Sequence, residues 1–169
     1  MAYTAIHYEE NRADFIGVMT LNRPEKRNAR GREAANVMGR VLALAGKAPD
    51  LVLSSPARRA RETAELVGAA GSWPAPLVID SRLSPGSPGA VVDAVRDHAG
   101  AATRLLVVGH EPAWSQTVAV LSGGGRVRMA TGTAACLGIA SWPELRPGAC
   151  TLLWVVPPRL FTDGRFPPL

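Results

Sequence analysis

A histidine and a cluster of arginines stand at the ends of two apolar runs, and these are residue types that grip and transfer phosphate. The run Leu105-Leu106-Val107-Val108 stops at Gly109 and is followed by His110-Glu111-Pro112. An imidazole in that position sits at the carboxyl end of a buried strand, where open α/β sheets take their ligands. It can act there as general base, nucleophile or oxyanion stabiliser. Upstream, Leu51-Val52-Leu53-Ser54 leads into Ser55-Pro56-Ala57-Arg58-Arg59-Ala60, a helix start loaded with arginine. Unpaired N–H groups and a partial positive charge favour phosphate at a helix start, and a guanidinium adds a planar fork for two of its oxygens. Arg59 borders the apolar stripe Ala60, Ala64, Val67, which directs it toward the strand end. Arg58 and Arg61 fall toward solvent, spaced to pair with Glu62 and Glu65 at i, i+4. Alone, such a helix reads as a salt-bridged solvated face, and a lone loop histidine as one bonded to backbone. Arg59 and His110 together favour a phosphate pocket.

The other polar groups are less telling. Glu111 is a candidate acid beside His110, or simply the cap of the following helix. His98 lies late in a helix, where it complements the dipole. His7 sits in a strand-like stretch without glycine or arginine beside it. Gly109 allows close backbone approach, as a ligand site needs. Gly123-Gly124-Gly125 follows a helix and reads as a loop, since a nucleotide-binding turn joins a strand to a helix. No HExxH, CxxC or carboxylate cluster suggests a metal, and no cofactor is expected.

Alternating strand and helix signals position these residues. Phe15–Leu21 reads as a strand, and Arg32–Leu44 carries apolar residues at helical spacing. After the strand Leu51–Ser54, a helix is expected from about Pro56 to Ala69, with Ser55 as N-cap and Pro56 at its first position. Leu77–Asp80 is strand-like, Ser84–Gly89 is a loop, and Ala90–His98 is a helix. The Leu105–Val108 strand and a Pro112–Leu121 helix follow, then late strands near Ala134–Ala140 and Leu152–Val156. This order predicts an α/β fold of three layers, a mostly parallel central sheet with helices on both faces. The 169 residues fit one domain with a sizeable core.

The net charge of +5 is almost entirely arginine and is scattered rather than run together, so nucleic acid is not the expected partner; small anions fit. Cys136 and Cys150 lie in apolar surroundings without CxxC spacing and read as reduced core residues. The sequence shows no basic-then-apolar leader and no apolar run of about 20 residues, so the expectation is a cytoplasmic protein without membrane contact.

From about Asn28 to Phe161 the chain resembles the histidine phosphatase superfamily, in particular its small phosphohistidine phosphatase (SixA-type) branch. The resemblance rests on Ala29-Arg30-Gly31-Arg32-Glu33-Ala34-Ala35 and on the stretch from Pro49 to Ala64 containing Ser54-Ser55-Pro56-Ala57-Arg58-Arg59-Ala60. It continues through Asp80-Ser81-Arg82-Leu83, Val107-Val108-Gly109-His110-Glu111-Pro112, and Pro157 with Arg159-Leu160-Phe161. It implies a phosphatase of the phosphoglycerate-mutase-like fold that takes phosphate onto a histidine and passes it to water. Arg59 and His110 would hold and polarise that phosphate, delivered by a phosphorylated protein or small phosphoester.

The family's attacking histidine belongs to an Arg-His pair ending the first strand. Here that strand runs into Asn22-Arg23-Pro24, and no Arg-His pair occurs anywhere in the chain. Arg23 offers a further phosphate-binding cation, but a guanidinium stays protonated and cannot attack phosphorus. Hydrolysis is therefore expected to be impaired or absent, leaving a phosphate-binding pseudoenzyme or a non-catalytic phosphoprotein-binding module. His110 is the candidate substitute nucleophile. Residues 1–29, with Tyr3–Glu9 and Gly17-Val18-Met19-Thr20-Leu21-Asn22-Arg23-Pro24-Glu25-Lys26-Arg27-Asn28-Ala29, resemble instead the N-terminus of an enoyl-CoA hydratase (crotonase-type) protein. That implies, more weakly, a CoA-ester contact through Lys26 and Arg27. The expected organisation is one domain, 1–169, with 1–29 standing in place of the family's first strand.

Overall fold

Apolar runs too short for helices become strands, and the amphipathic stretches between them become the helices that cover the sheet. The computed structural model describes residues 15–20, 28–157 and 160, with side chains from Gly31 onward. Its order is β1 (Phe15–Thr20), α1 (Asn28–Leu44), β2 (Leu51–Ser54), α2 (Arg58–Gly71), β3 (Leu77–Ile79), α3 (Pro88–Ala99), β4 (Arg104–Gly109), α4 (Ala113–Leu121), β5 (Ala134–Gly138) and β6 (Thr151–Val156). The strands form one sheet in the order β3-β2-β4-β1-β5-β6. The β3-β2, β2-β4 and β4-β1 pairs are parallel, while β1-β5 and β5-β6 are antiparallel. The expected three-layer α/β fold with a mostly parallel sheet is therefore present. β1 lies inside the sheet, with Thr20 beside Gly109 of β4 on one side and Met19 beside Ala134 of β5 on the other.

Strand alternation divides the core in two. Leu51, Leu53, Leu105, Val107, Ala135 and Leu137 face α3 and α4, whose Val91, Val95, Trp114, Val118 and Leu121 complete one cluster. Val52, Leu106, Val108 and Ala134 face α1 and α2, which supply Met38, Leu42, Ala60, Ala64 and Val67. The two helices meet closely at Gly39, where any Cβ would run into the carbonyl oxygen of Val67. Asp50 ties the start of β2 to that of β4 by accepting from the Thr103 and Arg104 N–H groups, at 2.8 and 3.0 Å.

The start of α2 departs from the sequence expectation. Its N-cap is Ala57 and its first helical residue Arg58, so Ser55 and Pro56 belong to the turn before it. Both Ser54 and Ser55 are fully buried. The Ser55 hydroxyl accepts from the Ala57 N–H at 3.3 Å, and the Ser54 hydroxyl donates to the Ser55 carbonyl at 3.1 Å. The serine thus fixes the turn rather than capping the helix. Both cysteines are buried and free, and burial pushes the Cys150 thiol up to about 11. Among the described residues no helix is long and apolar enough to cross a membrane. The enoyl-CoA hydratase-like stretch, apart from β1 and the start of α1, lies outside the described residues.

Candidate active site

Three strand ends meet at the carboxyl edge of the sheet. The Ser55 N–H donates to the Val108 carbonyl at 2.9 Å, so the turn after β2 lies against the end of β4. On the other side, Thr20 at the end of β1 pairs with Gly109. His110 follows directly in the centre of this row, and the short Pro56-Ala57 turn brings the first turn of α2 beside it. Arg59 is on that turn, and its charge reaches the imidazole: burial lowers the His110 pKa and the neighbouring guanidinium lowers it further. Sequence spacing thus brought Arg59 and His110 to one place.

The two residues are electrostatically poised in different ways. Arg58, beside Arg59, is occupied by Glu62 at 2.6 Å, the expected i, i+4 pair. Arg59 is exposed and, among the described residues, has no carboxylate partner. His110 is half-buried, and its Nδ1 is buried without a hydrogen-bond partner. A lowered pKa leaves the imidazole neutral at pH 7, with a lone pair for a proton or an electrophile. A free guanidinium beside a neutral imidazole can hold a tetrahedral oxyanion and move a proton at its edge.

Gly109 has a different cause from the one its position suggests. A Cβ there would collide with the six-membered ring of Trp114, which is fully buried. The glycine admits this ring beneath the strand end, so packing requires it whatever the ligand. Glu111 adopts the cap role, its Oε1 accepting the Ser115 N–H at 3.1 Å on the first turn of α4. Arg23 lies outside the described residues, as do His7, Lys26 and Arg27.

One polar cluster is absent from the sequence reading. Asp80, ending β3, is only 7% exposed and takes the Arg82 guanidinium at 2.6 Å and His98 Nε2 at 2.9 Å. Arg82 continues to Asp97 at 2.6 Å. The Arg82 hydrogen bonds hold the Asp80 carboxyl far below the usual carboxylate range and raise the guanidinium in turn. The cluster locks the β3–α3 connection, and His98, in the last turn of α3 as expected, gains Asp80 as a further partner. The Asp80-Ser81-Arg82 spacing was the available signal; the partner on α3 had none. No group of histidine, cysteine, aspartate and glutamate among the described residues could hold a metal ion.

The chain is similar to known proteins in sequence and in fold. Residues 28–89 match the sequence model of the histidine phosphatase superfamily, branch 1. An uncharacterised protein of Mycobacterium tuberculosis is 33% identical over 141 residues, covering 77% of this chain and 87% of that one. A protein histidine phosphatase SixA complexed with tungstate superposes with a TM-score of 0.72 at 21% identity, covering 88% of this chain and 99% of the other. A putative phosphohistidine phosphatase SixA from Nakamurella multipartitia gives 0.68 at 22% identity over 86% and 96%. A putative α-ribazole-5'-P phosphatase from Escherichia coli gives 0.63 at 19% over 86% and 97%. At these identities the solved structures are similar in fold.

Proposed function

Because the chain belongs to the histidine phosphatase superfamily, we propose that it is phosphohistidine-phosphatase-like: Arg59 and His110 bind the phosphoryl group of a phosphorylated protein or small phosphoester, and hydrolysis is impaired. The observation that carries the reading is the unpaired Arg59 guanidinium beside a neutral His110 at adjoining strand ends. The guanidinium takes two phosphate oxygens in its fork, and the imidazole edge polarises a third. The structural likeness to SixA proteins supports a phosphorylated protein as the substrate class.

Impairment follows from the β1 end. The family's histidine nucleophile ends the first strand, here the strand next to Gly109, and neither Phe15–Thr20 nor the seven residues that follow it contain a histidine. Loss of a covalent nucleophile lowers turnover by several orders of magnitude while leaving binding in place. Titration with inorganic phosphate and vanadate, followed by melting temperature, tests binding; both ligands raise it by preferring the native state. No shift at millimolar ligand removes the reading. Assays on an aryl phosphate and a phosphohistidine peptide test impairment. Brisk turnover lost in both Arg59→Ala and His110→Ala would overturn impairment and make both residues essential to an active enzyme. A null CoA titration would dispose of the N-terminal CoA contact.

A further inference from the structure

A second unpaired arginine is held at the same rim from the opposite layer. After α4 the chain turns through Gly123, Gly124 and Gly125 at φ 90°, 118° and 97°, a left-handed path that glycine alone follows without strain. It then runs through exposed Arg126 and Arg128 to Met129, which is buried in the cluster beneath α3 and α4. The Met129 N–H donates to the Ser115 hydroxyl at 2.9 Å, and the Ser115 N–H donates to Glu111 at 3.1 Å. The returning chain is therefore pinned on the first turn of α4, at a residue five positions after His110. Arg128 is the residue before that pin. It is exposed and, among the described residues, has no carboxylate partner. The carboxylate nearest in sequence to His110, Glu111, is engaged by the Ser115 N–H. Arg59 thus acts on His110 from the α1–α2 layer, while the backbone beside Arg128 is fixed on the first turn of α4 and leads to Ala134, which pairs with Met19 near the end of β1.

One guanidinium fork satisfies one phosphoryl group, so a second, carried by a different segment at the same edge of the sheet, suits a second charge. We infer that Arg128 is a specificity-determining residue that holds a second anionic group of the substrate, a carboxylate or phosphate carried close to the phosphoryl group taken by Arg59 and His110. The inference rests on the phosphate-binding reading above. The glycine turn leaves the arginine able to adjust to the spacing of the two anions, while the Met129 anchor keeps it at the rim. Dissolved salt screens such a contact, so the preference weakens as ionic strength rises.

Calorimetric titration at low salt measures it on four ligands: a phosphopeptide with aspartate beside the phosphorylated residue, its asparagine counterpart, a short alkyl bisphosphate and the matching monophosphate. Wild-type protein prefers the aspartate peptide, the bisphosphate, or both, and which pair shows the preference assigns the second group. Arg128→Ala reduces that preference about two- to fivefold, the scale of one exposed charge pair, and Arg128→Lys restores part of it. Arg40→Ala, an equal loss of charge about three turns along α1 at an exposed position, leaves the preference in place. A preference unchanged in Arg128→Ala, or reduced equally in Arg40→Ala, overturns the inference. Failure of wild-type protein to bind any of the four ligands overturns instead the phosphate-binding reading on which it rests.

Discussion

Replacing Gly109 with alanine tests the packing beneath the candidate site. The added Cβ would stand where Cη2, Cζ2 and Cζ3 of the Trp114 ring already lie. Trp114 is fully buried against α3 and the sheet, so the ring cannot retreat without moving its neighbours. Overpacking of this kind costs about 1–3 kcal/mol. Removing a strand glycine returns about 0.5–1 kcal/mol, leaving a net loss of roughly 1–2 kcal/mol. For a chain of this size that lowers Tm by about 2–8 °C. A phenylalanine ring ends short of the colliding atoms, so Trp114→Phe should relieve the conflict. Gly109→Ala made in that background is then neutral or slightly stabilising, and the double-mutant cycle yields a coupling of about 1–3 kcal/mol. Urea unfolding of the four proteins measures it, with phosphate affinity as a second readout because the strained strand end carries His110. An equal cost of Gly109→Ala in both backgrounds would refute the ring contact as the reason for the glycine.

Asp80 gives a prediction in acid. Its folded pKa lies below the unfolded value, so its contribution is complete above about pH 4 and drains as pH falls through the folded value. Asp80→Asn should therefore be less stable than wild type at pH 7 and lose less on acidification to pH 3, measured by urea midpoints; parallel losses would contradict the assignment. His110 should titrate by NMR below the usual histidine midpoint of about 6.5. Arg59→Ala should raise that midpoint only part of the way, because burial is the larger cause; no movement would separate the two residues. Gly39→Ala should destabilise the α1–α2 crossing by at least about 1–3 kcal/mol, since backbone rather than a flexible side chain meets the new methyl. Native protein at pH 8 should resist iodoacetamide at Cys150, whose thiol lies near 11, and denaturant should release labelling; rapid native labelling would mean the site opens.

Local chemistry explains what could be read from the chain without coordinates. Arg59 and His110 were legible because each stands one short turn beyond an apolar strand, and parallel neighbours bring such ends together. The start of α2 was misplaced because Ser55-Pro56 has the composition of a cap and first helical residue, yet the serine hydroxyl closes a turn onto Ala57. His98 was legible as a last-turn residue of its helix, but nothing in its neighbourhood announces the carboxylate eighteen residues earlier that it also meets. Gly109 invited a ligand explanation because the ring that needs its space stands on the next helix, where sequence shows a tryptophan but not its direction. Local periodicity reports which face a residue takes; it is silent on which partner waits there.

The interior place of β1 has a consequence for how the chain is made. β1 leaves the ribosome first among the described strands, yet among these residues it pairs only with 104–109 and 134–138. The α1–α2 pair and the β2–β3 ladder can assemble long before either partner exists. The nascent protein therefore carries an unpaired apolar strand through most of its synthesis and inserts it late, between two ladders of high sequence separation. Such late, non-local closure is slow and exposes a sticky edge meanwhile. Synthesis rate and holding chaperones, more than the stability of the finished sheet, should govern how much of this protein reaches its native state.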